Sequence, residues 1–194
     1  MKLSESNLLA GDICLTTDKS WIGRGIIFFE NMWTGKATMT HVFSYVGNGN
    51  VVEALGDIRK SPITNYDTHE VVVYRVPLSD SDRLSFANGM LQLVGGPYGY
   101  LKYPLFILDA GTSWIKRNIF GMKNPSFFFS DTFGLKIDPV CSQLAVEGLY
   151  NFTSYRIKDI TGQIDDWKSF SPDYLKDELE LLSNGASVVF NSLP

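Results

Sequence analysis

Runs of β-branched and aromatic residues predict several β-strands. The strongest signal lies in His41–Ala54, where two such runs flank Gly47–Asn50. An Asn-Gly pair between apolar runs is typical of a tight β-hairpin. A turn followed by a short strand is predicted within Leu9–Thr17, and another strand within Val71–Val76, which Pro77 ends. Short strands joined by turns are therefore expected to form part of the fold.

Apolar residues at helical spacing predict four helices. They are expected at Ser20–Trp33, Ser79–Leu93, Val140–Tyr150 and Asp173–Leu182. The third follows Pro139, a residue that favours a helix start. The tail from Asn184 is expected to be either a strand or mobile. Because strands and helices are both present, the predicted fold class is α+β.

Residues 98 to 138 are rich in aromatic residues and glycine and fit neither periodicity well. We interpret them as a long insertion, with some helix, in a single domain that spans residues 1–194. Tyr98 and Tyr100 are candidate substrate-binding residues that could wall a groove, although packing is the simpler explanation. The apolar run Phe127–Phe129 would belong to the core or form a patch for a lipid or a partner protein.

Composition excludes several classes of protein. The 194 residues include 17 basic and 21 acidic side chains, for a net charge of −4, which argues against a nucleic-acid-binding coat or a polybasic membrane anchor. The N-terminus has Glu5 and no apolar run typical of a secretory signal, and the longest apolar runs are too short to span a membrane. A cytoplasmic location is expected, and packaging in a virion or delivery by a non-classical route stays open.

The chain has only two cysteines and two histidines, which excludes a disulfide framework and a structural zinc site. Cys14 lies in an apolar strand pattern and is expected to be a buried structural thiol. His69 precedes a predicted strand and is expected in an exposed loop. Any thiol or imidazole chemistry is therefore expected at Cys141 and His41.

Cys141 lies at the start of the predicted helix that follows Pro139. Unpaired backbone N–H groups and the helix dipole at such a position stabilise a thiolate, which makes a nucleophile. The same N–H groups can stabilise an oxyanion. The alternative is that Cys141 is a small buried residue of a core helix.

His41 and Glu53 stand twelve positions apart on the two strands of the predicted hairpin. Glu53 interrupts an apolar run, and a buried carboxylate needs a partner. His41 would be that partner, with Glu53 orienting its imidazole. A two- or four-residue loop centred between Asn48 and Gly49 would put the two side chains on opposite faces, whereas an odd-numbered loop or a bulge would put them on the same face.

Five short segments become informative in combination. They are Gly11–Ile13, Thr40–Gly49, Val51–Ala54, Cys141–Leu144 and Ser169–Leu175. Together they resemble the papain-like amidases and peptidases of the NlpC superfamily. Ordinary members have the cysteine before the histidine, whereas the order here is His, Glu, Cys. The chain is therefore similar to the circularly permuted branch, the YaeF/YiiX-like proteins, which also resembles lecithin retinol acyltransferase.

This resemblance implies a papain-like domain in which an antiparallel sheet or small barrel carries His41 and Glu53 and packs against the helix that presents Cys141. Cys141 would be the nucleophile, His41 the base and Glu53 the orienting residue. The implied activity is a cysteine hydrolase that cleaves an amide or ester bond through a thioester, with a peptide, peptidoglycan-fragment or acyl-lipid substrate and with no metal or organic cofactor.

Two other functions fit the same residues. An acyltransferase would use the same Cys and His chemistry with an acceptor in place of water. A catalytically inert binding or structural module, for example in a virion, would retain the fold alone, and the 98–138 insertion could then contact a protein partner.

Overall fold

The computed structural model describes residues 2–17, 38–55, 57–96, 141–158, 161–164 and 172–193. The helix predicted at Ser20–Trp33 lies outside these residues, as does the 98–138 insertion with Tyr98, Tyr100 and Phe127–Phe129.

Six strands of the described chain form one antiparallel sheet. They are β1 (Ile13–Thr16), β2 (His41–Gly47), β3 (Asn50–Ala54), β4 (Ile58–Pro62), β5 (Val71–Arg75) and β6 (Ser187–Asn191). Their order across the sheet is β4-β3-β2-β1-β5-β6, which makes β4 and β6 its edges. Of the two arrangements expected, a sheet or a small barrel, the described strands form the open sheet.

The helices in the described residues are α1 (Asp80–Gln92), α2 (Cys141–Phe152) and α3 (Pro172–Glu180). The Ser79 hydroxyl caps α1 by accepting a hydrogen bond of 3.1 Å from the backbone N–H of Asp82. Each of the three predicted helices in this part of the chain is present within two residues of its expected ends, and the C-terminal tail forms a strand. The predicted α+β class is confirmed.

Strand β4 was not predicted from the sequence, and neither was the single 3₁₀ turn at Ile63–Tyr66 that follows it. The strand contains Arg59, Lys60 and Ser61, so its composition is too polar to be recognised as β-structure. It pairs fully with β3 all the same, from Asn50 opposite Pro62 to Ala54 opposite Ile58.

Each face of the sheet has its own apolar core, because alternate strand residues point to opposite faces. One core contains Val42 of β2 and packs against all three helices. The other contains Phe43 of β2, Val51 of β3 and Tyr66 of the 3₁₀ turn. Cys141 belongs to the first core, whereas His41 shares the face of Phe43. Cys141 and His41 therefore lie on opposite sides of the sheet and can meet only at one of its ends. That end is the start of β2, of which His41 is the first residue.

Helices α1 and α2 approach closely where glycines remove the side chain. A Cβ atom at Gly89 of α1 would lie 2.2–2.4 Å from ring carbons of Phe152, the last residue of α2. A Cβ atom at Gly148 of α2 would lie 2.3 Å from the Met90 sulfur. This contact fixes the position of α2 against the sheet.

We expect Gly89→Ala to lower the free energy of unfolding by about 1–2 kcal/mol, since overpacking outweighs the better helix propensity of alanine. Urea denaturation followed by circular dichroism measures the change. Ser85→Ala, at an exposed position of the same helix, is the control and should stay within about 0.5 kcal/mol of the wild type. A Gly89→Ala protein as stable as the control would contradict the close approach.

Candidate active site

Cys141 is the first residue of α2 and is 6% exposed. Its sulfur accepts hydrogen bonds from the backbone N–H groups of Ser142 and Val42, and its side chain is hydrogen-bonded to His41. The helix start contributes backbone N–H groups and the positive end of the helix dipole, as expected for a site that stabilises a thiolate.

The Val42 N–H reaches the sulfur because of the way β2 pairs. Tyr45 exchanges hydrogen bonds of 2.9 Å with Asp12 and Gly11, so its backbone polar groups face β1. Backbone polar groups alternate in direction along a strand, and the Val42 N–H therefore faces β3. Pairing of β2 with β3 ends at Phe43 and Glu53, which leaves the Val42 N–H free of the ladder and close to α2.

A bulge in the hairpin decides which face Glu53 occupies. Gly47 pairs with Asn50 across a two-residue turn in which Asn48 and Gly49 have positive φ angles of 53° and 71°. The register then shifts between Gly47 and Tyr45, so that Phe43 lies opposite Glu53. His41 is two residues from Phe43 and thus shares its face. The bulge therefore puts His41 and Glu53 on the same face, as a pair between them requires.

His41 and Glu53 are joined by a hydrogen bond of 2.9 Å between Nε2 and Oε2. Glu53 is 1% exposed and His41 is 8% exposed. Since Nε2 donates to the carboxylate, Nδ1 is the ring nitrogen left for the Cys141 sulfur, with which His41 also forms a hydrogen bond. The structure therefore brings together Cys141, His41 and Glu53.

Three further residues hold the Glu53 carboxylate. Arg59 Nε donates to Oε1 over 3.1 Å and Ser61 Oγ donates to the same oxygen over 2.6 Å. The hydroxyl of Tyr66 donates to Oε2, and its ring stacks on Phe43 with the ring centroids 3.9 Å apart. The sequence analysis missed all three. The alternation of Arg59 and Ser61, which gives two polar side chains on one face, was the available signal.

The charges of this group shift the pKa of each member. Burial by itself would lower the pKa of His41, but the hydrogen bonds to Cys141 and Glu53 and their negative charges outweigh it and raise the pKa to about 9. Burial opposes ionisation of Glu53 too, yet the hydrogen bonds from His41, Ser61 and Tyr66 lower its pKa to about 2. Glu53 is thus a carboxylate, and His41 an imidazolium, at neutral pH.

The pKa of the Cys141 thiol is lowered. Burial favours the neutral thiol, but the His41 hydrogen bond and charge, followed by the N–H groups of Val42 and Ser142, stabilise the thiolate more strongly. A thiolate–imidazolium pair beside a buried carboxylate can attack a carbonyl carbon and deliver a proton to the group that leaves.

Of the other candidate residues that the structure describes, none belongs to the group of Cys141, His41 and Glu53, although the His69 ring centroid lies 5.3 Å from that of Tyr66. Cys14 is fully buried, and burial together with the Asp12 charge raises the pKa of its thiol. His69 is exposed, as expected. Asp12 accepts a hydrogen bond from the Leu9 N–H over 2.8 Å and pairs with Arg75, so its carboxylate stabilises the turn before β1. Tyr98 and Tyr100 lie outside the described residues.

No family model matches the chain, and a comparison with curated proteins gives no match either. Among the described residues, no three His, Cys, Asp or Glu side chains are clustered as metal ligands would be. None of the helices in this part of the chain has the length and apolar character required to cross a bilayer.

The free energy of unfolding is expected to fall in acid, because protonation of Glu53 removes a stabilising contribution. A carboxyl group with a pKa of about 2 in the folded protein and near 4.5 when unfolded stabilises the fold fully above pH 4.5, and this contribution is lost as the pH falls to 2. We expect the wild type to lose about 2–3 kcal/mol more than Glu53→Gln over that interval. Urea denaturation at a series of acidic pH values measures the difference.

Asp57→Asn removes an exposed carboxylate from the turn between β3 and β4 and controls for net charge. Asp57→Asn should lose as much free energy of unfolding as the wild type does when the pH falls from 4.5 to 2. If the free energies of unfolding of the wild type and of Glu53→Gln fell equally over this pH interval, Glu53 would not be held as a buried carboxylate.

Proposed function

We propose that the protein is a cysteine hydrolase of the papain-like type that cleaves an amide or ester bond through a thioester. The observation that carries this proposal is the buried series Cys141–His41–Glu53, in which each side chain is hydrogen-bonded to the next. Such a series supplies a nucleophile, a proton carrier and a group that orients the carrier.

The first half of the reaction uses the thiolate and the imidazolium. The Cys141 sulfur attacks the carbonyl carbon, and the negative charge that develops on the carbonyl oxygen is stabilised by the backbone N–H of Cys141 at the start of α2. The bond to the leaving group then breaks. His41 gives its proton to the departing nitrogen or oxygen, which leaves a thioester and a neutral imidazole.

The second half of the reaction restores the enzyme. Neutral His41 takes a proton from water as the water oxygen attacks the thioester carbon, and the carboxylic acid product leaves as the C–S bond breaks. Glu53 keeps the His41 ring in one orientation through both halves, with its Nε2–H directed at the carboxylate. The cycle returns to the thiolate–imidazolium pair.

The arrangement of the elements supports the resemblance to the permuted NlpC-type proteins. The order along the chain is His, Glu, Cys, and an antiparallel sheet carrying the first two packs against the helix that begins with Cys141. A cell-wall peptide or a lipid-linked acyl group is the substrate that this resemblance favours. Replacing water by an acceptor in the second half would give an acyltransferase.

We expect iodoacetamide to label Cys141 at least about 100-fold faster than Cys14 at near-neutral pH, because Cys14 is fully buried and held as a thiol. Peptide mapping by mass spectrometry after timed labelling measures both rates. Cys141→Ala, which retains Cys14, is the control. Equal slow labelling of the two cysteines would favour a catalytically inert module.

The pH dependence of labelling should change when His41 is removed. Because His41 lowers the pKa of the Cys141 thiol, the wild-type thiolate persists to lower pH than that of His41→Ala, whose thiolate fraction falls about tenfold per pH unit below its thiol pKa. Labelling rates of Cys141 from mildly acidic to mildly alkaline pH should therefore be less steep for the wild type. Identical slopes in the two proteins would contradict the thiolate–imidazolium pair.

Trapping separates the hydrolase from the acyltransferase. An activated ester should leave an acyl group on Cys141 that mass spectrometry detects, and none on Cys141→Ala. Release of the free acid in buffer supports hydrolysis. An acyl-enzyme that persists until an amine or alcohol is added, and then forms a new amide or ester, would assign the protein to transfer.

A further inference from the structure

The short segment before β2 is held by the carboxylate of Asp173. The backbone N–H of Thr38 lies 3.0 Å from each carboxylate oxygen, and that of Met39 lies 3.1 and 3.2 Å from them. The Thr38 hydroxyl adds a third donor at 3.1 Å. Asp173 is 7% exposed, so its carboxylate makes charge-assisted hydrogen bonds that are buried on the Met39 side and part-buried on the Thr38 side.

The other side of the same segment is held by the end of β1. Thr40 donates its backbone N–H to the Thr16 carbonyl over 3.0 Å, and the Thr17 hydroxyl donates to the Thr38 carbonyl over 2.7 Å. Residues 38–40 are thus fixed between β1 and α3. His41 follows at once, and Val42 comes next.

The position of Asp173 in α3 suits a carboxylate. It lies in the first turn of α3, directly after Pro172, where the positive end of the helix dipole favours a carboxylate. Its two oxygens are shared among three donors of one short segment, so the contact fixes both the position and the direction of that segment. A neutral amide offers only one acceptor oxygen and cannot reproduce it.

We propose that Asp173 is a positioning residue for the Cys141–His41 pair: by fixing the chain where β2 begins, it holds the His41 ring and the Val42 N–H against the Cys141 sulfur. This inference rests on the proposed function. It gives a physical role to Asp173, the acidic residue of the Ser169–Leu175 segment. An error of about 1 Å at a reacting pair can cost about 100-fold in rate, which is why a remote clamp matters.

Asp173→Asn tests the inference without any substrate. The ultraviolet absorbance of the thiolate, read as the difference from Cys141→Ala across a pH series, gives the midpoint at which Cys141 ionises. We expect Asp173→Asn to move that midpoint to higher pH. We also expect it to slow iodoacetamide labelling of Cys141 roughly tenfold at pH values below the wild-type midpoint, because there about one unit of midpoint shift changes the thiolate fraction by that factor.

Asp82→Asn is the matched control. Asp82 also lies in the first turn of a helix and receives a hydrogen bond from another segment, namely from the Ser154 hydroxyl over 2.9 Å. Ser154 follows the far end of α2, about 18 Å along the helix from Cys141. Asp82→Asn should lower stability while leaving the midpoint and the labelling rate as in the wild type.

A folded Asp173→Asn protein with the wild-type midpoint and a labelling rate within about twofold of the wild type would overturn the positioning role and leave the proposed function standing. A wild type whose Cys141 midpoint is not lower than that of an ordinary thiol would overturn both. If Asp173→Asn does not fold, Asp173→Glu decides. That variant keeps the charge but displaces the carboxylate by one methylene, so slower labelling supports positioning and wild-type labelling assigns Asp173 to stability alone.

Discussion

The buried charge of Glu53 is the constraint on which the rest of the site depends. A carboxylate that is 1% exposed loses its hydration and would become protonated unless donors replace the water. Four side chains do so: His41 from β2, Arg59 and Ser61 from β4, and Tyr66 from the 3₁₀ turn. Strand β4 and the turn after it therefore do more than extend the sheet, since they make an ionised Glu53 possible.

The same charge determines the ionisation state of the Cys141–His41 pair. His41 stands between two acidic groups, so it is more stable as a cation than burial alone would allow, and its charge in turn stabilises the Cys141 thiolate. With Arg59 included, the group holds two positive and two negative charges. A cluster without net charge is easier to bury than any of its members alone. Removing one partner leaves the opposite charge uncompensated, so the members are expected to act as a unit.

The β2–β3 hairpin and helix α2, which carry the site, could be predicted from the sequence because each is marked by residues close together in the chain. The Asn48–Gly49 turn identified the hairpin, and Pro139 with the apolar residues after it placed Cys141 at a helix start. The bulge at the hairpin depends on how β2 twists against its neighbours, so the sequence left two possible faces for Glu53. Only the observed register, with Phe43 opposite Glu53, selects one of them.

The residues that the sequence analysis missed share a physical cause. Arg59, Ser61 and Tyr66 are typical surface residues by composition, and their position around Glu53 comes from pairing between strands and from a turn that folds back over the sheet. Asp173 is more than 130 positions from the segment that it fixes. Such contacts are set by tertiary structure, which neither periodicity nor residue type encodes locally.

We infer that His41 is an imidazolium at neutral pH because Glu53 and the Cys141 thiolate flank it. Ring nitrogen chemical shifts of His41, measured by NMR across a pH series, report its protonation state directly. We expect both ring nitrogens to stay protonated through neutral pH and the ring to titrate with a pKa of about 9. In Cys141→Ala the pKa should fall. A neutral His41 ring at pH 7, with a pKa at or below the ordinary value of 6.5 and no response to Cys141→Ala, would contradict the claim.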